Sequence, residues 1–88
     1  MAIVLAYDVD RLHVELKQAL LKIGYQDSIP HNGNTINFPN TTLYHASRSA
    51  AAARDELRDI CSRSGIRLER CVATVWSDWA AIHGDPHG

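Results

Sequence analysis

The run Ile3-Val4-Leu5-Ala6-Tyr7, halted by Asp8, constrains the fold more than any other stretch. An unbroken series of β-prone apolar residues has no solvent face, so it reads as a strand covered on both sides. Whatever else the chain builds must supply two covers for that strand. With 88 residues it has material for one domain and one modest core, near the lower size limit of self-sufficient folding.

Two helices are readable. From Asp10, which can serve as N-cap, Leu12, Leu16, Ala19, Leu20 and Ile23 recur at helical spacing, and Gly24 follows as a stop. The second begins at a Ser47 or Ser49 cap. Ala50, Ala53, Leu57, Ile60 and Cys61 mark its inner face, and Gly65 ends it. Between the helices, Pro30, Asn32, Gly33, Asn34, Pro39 and Asn40 divide three β-like pieces: 25–29, 35–38 and 41–45. Pro39 and Asn40 separate the last two, so these can form a tight hairpin, while 25–29 can equally be the second main strand. Residues 66–75 read as a final strand.

The order strand, helix, two strands, helix, strand predicts an α+β fold, a ferredoxin-like βαββαβ sandwich with both helices on one sheet face. Residues 1–82 then form a single domain, and 83–88 a flexible tail rich in Gly and Pro. Two helices cover one face only. A second copy is the simplest cover for the other, so the fold predicts a two-fold homodimer.

Composition excludes some functions. The hydrophobic fraction of 45% with 22% charged residues is that of a globular domain. No segment approaches the roughly 18 apolar residues needed to cross a bilayer, and the apolar start has no basic flank, so a cytoplasmic protein with no membrane association is expected. Cys61 and Cys71 are too few for a disulfide framework and read as reduced, half-buried thiols. A net charge of −1 argues against a wholly basic nucleic-acid surface, yet six of the nine basic residues, all arginine, fall between Arg48 and Arg70. That stripe can address phosphates through Arg48, Arg67 and Arg70. It can equally be a solvated helix face on which Arg54 and Arg58 pair with Asp55, Glu56 and Asp59.

Asp8 closes the first strand at the sheet end, where a carboxylate can hold a cation. Should a two-fold axis pass nearby, two Asp8 side chains converge and favour either a shared proton or a bridging Mg²⁺ or Mn²⁺, the metal being able to activate water and neutralise a phosphodiester. The simpler alternative is that Asp8 or Asp10 caps the first helix. His45, and with less weight His31 and His13, can act as general base toward a 2′-hydroxyl. His83, Asp85 and His87 belong to the tail. Tyr25, Phe38, Tyr44, Trp76 and Trp79 are core residues or base-stacking platforms.

The opening Ile3-Val4-Leu5-Ala6-Tyr7-Asp8-Val9 with the helix after it, and Trp76-Ser77-Asp78-Trp79 after the last strand, resemble the virulence-associated protein D family. The same opening resembles the related small endonuclease subunit of CRISPR adaptation complexes. The resemblance implies a ferredoxin-like dimer, with Asp8 as the catalytic or metal-site residue of a toxin-type endoribonuclease. It implies alternatively a non-catalytic dimeric module that binds nucleic acid or protein, antitoxin-like or CRISPR-adaptor-like, with a cognate toxin, antitoxin or CRISPR protein as partner.

Overall fold

A computed structural model describes residues 1–85. In chain order the elements are β1 (Ile3–Val9), α1 (His13–Lys22), β2 (Ser28–His31), β3 (Asn34–Asn37), β4 (Thr42–His45), α2 (Ala50–Arg63) and β5 (Leu68–Val75). The fold is α+β, with a three-stranded antiparallel sheet ordered β4-β1-β5, a separate two-stranded sheet β2-β3, and two helices. Both neighbours of β1 run opposite to it, so β4 and β5 are parallel to each other and α2 crosses over β1 to join them.

The unbroken apolar run divides by alternation. Ile3, Leu5, Tyr7 and Val9 are buried beneath the helices with Leu16, Leu20, Leu43, Ala53, Leu57 and Cys61. The even-numbered residues Val4, Ala6 and Asp8 face the other way, because successive side chains on a strand alternate. Each fully buried aliphatic side chain in such a core contributes about 1.5–3 kcal/mol by leaving water. Burial also keeps the Tyr7 phenol neutral, pushed up to about 12, chiefly by lost hydration and secondarily by Cys61. The same cause raises the Cys61 and Cys71 thiols, and both cysteines are free.

Helix two starts as its sequence predicts. Ser49 is the cap, its hydroxyl accepting the Ala52 N–H at 3.1 Å, and Gly65 takes φ +67 just beyond the end. Helix one does not start at Asp10. Leu12 stands at its cap position in left-handed backbone, φ 57, with no side-chain cap, and the helix begins at His13. Asp10 is engaged elsewhere: its carboxylate accepts the Arg67 N–H at 2.9 Å and its own N–H donates to the Arg67 carbonyl at 3.2 Å. Nor does Asp8 cap this helix, since it lies within β1.

The middle of the chain departs further from expectation. The tight hairpin turns at Asn32-Gly33, not at Pro39-Asn40, and both central residues have the positive φ (48 and 79) of a type I′ loop. It joins 28–31 to 34–37 and stands apart from the main sheet. Neither 25–29 nor 35–38 becomes a fourth main strand. Among the described residues of 25–29 and 35–38, only Gln26 makes a backbone bridge to β4, to Tyr44, with hydrogen bonds of 2.7 and 2.8 Å.

That hairpin supplies a cover that sequence reasoning assigned wholly to a second copy. Ile29, Ile36 and Phe38 form a second small core with Val4 and Tyr44 of the sheet and Trp76 and Trp79 beyond β5. One end of the open face is therefore shielded from within the chain. The other end is bare: Ala6 is exposed, and Val72, opposite it on β5, is 66% exposed. At the C-terminus, Asn37 donates to the His83 carbonyl from its backbone at 3.0 Å, and its side chain reaches the Gly84 carbonyl at 3.2 Å, which ties 83–84 to β3. His87 lies outside the described residues. No helix is long and apolar enough to cross a membrane among the described residues.

Candidate nucleic-acid interface

Asp8 occupies the bare end of the open face. Across the ladder its partner is Arg70, and Arg70 Nε donates to Asp8 Oδ2 at 2.7 Å. Both side chains are largely exposed, 53% for Asp8 and 73% for Arg70. The hydrogen bond from Arg70 and the adjacent negative charge hold its guanidinium more firmly protonated than usual. A register shift after Asp8, where β5 carries one extra residue against β1, bends the ladder beside this pair.

Two turns meet here. The β1–α1 turn brings Asp10 and Arg11, and the α2–β5 turn brings Gly65 and Arg67. The Arg11 guanidinium donates to the Gly65 carbonyl from Nε at 3.1 Å and from a terminal nitrogen as well. Arg67 is pinned by its backbone to Asp10, and its exposed side chain makes no ion pair among the described residues. Arg11, Arg67 and Arg70 thus gather with Asp8 and Asp10 at one end of the sheet, a mixed patch in a chain of near-zero net charge.

Arg48 and His45 are not part of this patch. β4 runs opposite to β1 and His45 pairs with Ile3, five residues from Asp8, so the two ends are separated by roughly 16 Å at strand spacing. The Arg48 guanidinium grips Glu56 through two hydrogen bonds, 3.1 and 3.2 Å, and the Tyr25 hydroxyl donates to the same carboxylate at 2.9 Å. Burial works to raise the Glu56 carboxyl, but the bonds from Arg48 and Tyr25 and the Arg48 charge outweigh it and hold it below the ordinary value. This network fastens the start of α2 to Tyr25, an assignment different from the phosphate contact expected of Arg48.

His45 is buried, and its Nδ1 accepts the backbone N–H groups of both Ser47 and Arg48, at 3.1 and 3.2 Å. Two donors on Nδ1 place the lone pair there and the ring proton on Nε2. Its ring lies edge-on to Tyr25 at 4.8 Å, and Nε2 is pressed against Gly24, where a Cβ would come within 2.9 Å. No basic nitrogen is left free to receive a proton from a 2′-hydroxyl. The general-base role expected of His45 does not fit this geometry; the ring organises the turn into α2. His13 is the first residue of α1, and His31 lies on the hairpin, edge-on to Trp79 at 4.7 Å.

Of the helix-face pairs expected of the arginine stripe, Arg54 with Asp55 forms, while Asp59 pairs with Arg63 and Glu56 with Arg48. Asp10 and Arg11 carry no local sign of a place in this patch, because long-range pairing, not local spacing, gathers them; Trp76 and Trp79, stacking candidates in the sequence, do stack on each other.

A divalent cation of the Mg²⁺ class takes several oxygen ligands in near-octahedral geometry. Of the two carboxylates in this patch, Asp8 is bonded to Arg70 and one Asp10 oxygen to the Arg67 N–H. No group of three or more His, Cys, Asp or Glu side chains converges among the described residues. Comparisons with family models, curated proteins and solved structures find no match.

Proposed function

We propose that the protein is a toxin-type endoribonuclease that acts on RNA as a homodimer, with Asp8 at the seam and Arg67 and Arg70 positioning phosphates. The observation that carries the reading is the exposed Asp8–Arg70 pair at the bare end of the open face. An ion pair in water contributes little to stability, so exchanging partners costs little. RNA can then take Arg70 by a phosphate oxygen while Asp8 is released for chemistry.

The fold supports the reading in outline. β4 and β5 flanking β1, with α2 crossing between them, are compatible with a ferredoxin-like arrangement, which would have its fourth strand on the β4 side where Gln26 bridges Tyr44. Exposed Ala6 and Val72, opposite each other on the open face, form a small apolar strip beside the pair. A second copy laid on that strip buries it and draws the two Asp8 carboxylates toward the axis. Mg²⁺ or Mn²⁺ held between them would supply charge neutralisation and an activated water. The resemblance to virulence-associated protein D and to the CRISPR adaptation subunit points the same way, through Asp8.

A second reading has its own support. Asp8 is already paired with Arg70 and no group of three or more His, Cys, Asp or Glu side chains converges among the described residues, which favours a non-catalytic module that binds nucleic acid or a cognate toxin, antitoxin or CRISPR partner. Incubating structured and unstructured RNA with the purified protein, with Mg²⁺, with Mn²⁺ and with chelator, separates the two. Metal-dependent fragments support the nuclease. RNA binding with steep salt dependence and no fragments supports the module.

A further inference from the structure

We propose that the cleft between the tip of the β2–β3 hairpin and the segment after β5 binds a nucleobase of single-stranded RNA, guanine best. This rests on RNA being the partner, as read above, but not on cleavage. The cleft is open and about 420 Å³, walled by Ile36 and Trp79 on its apolar side and by His31, Ser77, Asp78 and His83 on its polar side. Ligand clefts share that make-up, an apolar surface with a few convergent polar groups.

Trp79 is a prepared stacking surface. It lies on Trp76 with ring centres 4.4 Å apart and planes 22° from parallel. Trp76 is rooted in turn: its backbone N–H donates to the Ala2 carbonyl at 2.9 Å, and its ring meets Phe38 and Tyr44 edge-on. Little freedom is left to lose when a base arrives. His31 approaches Trp79 edge-on from the hairpin tip and is exposed, so a base can enter between the two rings by moving one solvated side chain. Sequence-tolerant recognition of single strands relies on such aromatic planes.

The polar side selects among bases. A carboxylate only accepts hydrogen bonds, and guanine is the base whose Watson–Crick edge offers two adjacent donors, N1–H and the N2 amine. Asp78 meets that pattern, and the Ser77 hydroxyl adapts to either role. The cleft adjoins the Val4–Tyr44 end of the open face, four residues along β1 from Asp8, or roughly 13 Å at strand spacing. A short single strand can occupy the cleft and the Arg70 patch together.

Of the two tryptophans of the chain, Trp79 lines this cleft and Trp76 is stacked on it, so intrinsic fluorescence reports on the cleft. Titration with guanosine 5′-monophosphate should give saturable quenching, tighter than adenosine 5′-monophosphate, with none from ribose 5-phosphate. His31→Ala, an exposed change, should weaken binding several-fold, and Asp78→Asn should erase the guanine preference, both with unchanged circular dichroism. Equal quenching by ribose 5-phosphate, no saturation at millimolar nucleotide, or variants that bind as wild type would overturn the proposal. Base binding without RNA cleavage removes the nuclease reading alone; cleavage without base binding removes this proposal alone.

Discussion

Asp8 and Arg70 stand directly opposite each other on β1 and β5, joined at 2.7 Å on the sheet face that the helices leave uncovered. Sixty-two positions separate them in sequence. The relationship is therefore a product of strand pairing, and it turns an isolated acidic residue into one half of an exchangeable pair.

If Arg70 positions phosphate, Arg70→Ala should lower RNA affinity several-fold and reduce the slope of log affinity against log salt by about one. Fluorescence anisotropy across a salt series measures both. Arg48→Ala should do neither and should lower thermal stability instead, since its guanidinium is spent on Glu56.

Gly24 joins α1 to the Gln26 bridge at φ +102, with the space for a Cβ filled by His45 Nε2. Gly24→Ala meets both strain and a clash, and should cost more than about 1 kcal/mol. A fall in melting temperature of at least about 4–8 °C follows for a domain of this size. Urea denaturation should show the same loss with an unchanged slope.

Acid should weaken the fold through Glu56. Its carboxyl is held below the ordinary 4.5 in the folded chain, because the bonds from Arg48 and Tyr25 outweigh the effect of burial. A depressed folded value means the stabilisation is complete above the unfolded pKa and is lost as pH falls through the folded one. Stability should fall from about pH 5 downward, and Glu56→Gln should be less stable near neutrality with a flatter acid limb. Tyr25→Phe, which removes one buried donor to this carboxylate, should cost about 1 kcal/mol.

The Asn32-Gly33 loop sets the hairpin that holds Trp79 in place. Gly33→Val forces a β-branched residue into φ +79 and should loosen the second core, seen as a red shift in tryptophan emission with little change in the main melting transition.

Features fixed within a few residues were legible in the sequence. Ser49 caps α2, Gly65 ends it, and β1 presents an acidic residue near its end, all from local chemistry. What failed was non-local. Asp10 has the side chain of a helix cap, yet Arg67 arrives from the far end of the chain and takes its carboxylate. The hairpin was misplaced although Asn32-Gly33 carries the strongest two-residue turn signal, because Pro39-Asn40 also reads as a turn and β-like pieces flank both. His45 gives no local sign that two backbone N–H groups will occupy its acceptor nitrogen. Alternation along β1 was hidden by Val4 and Ala6, apolar residues on the open face; only the tertiary position of Trp76 and the hairpin shows that half of that face is covered by the chain itself.

The most direct test of Asp8 as the cleaving residue compares wild type with Asp8→Asn on one RNA substrate with Mg²⁺ or Mn²⁺, with sedimentation equilibrium run on both proteins. Wild type should yield metal-dependent fragments, Asp8→Asn should yield none, and both should sediment as dimers. Undiminished cleavage by Asp8→Asn, or a wild-type protein that is monomeric and inert toward RNA, would contradict this assignment.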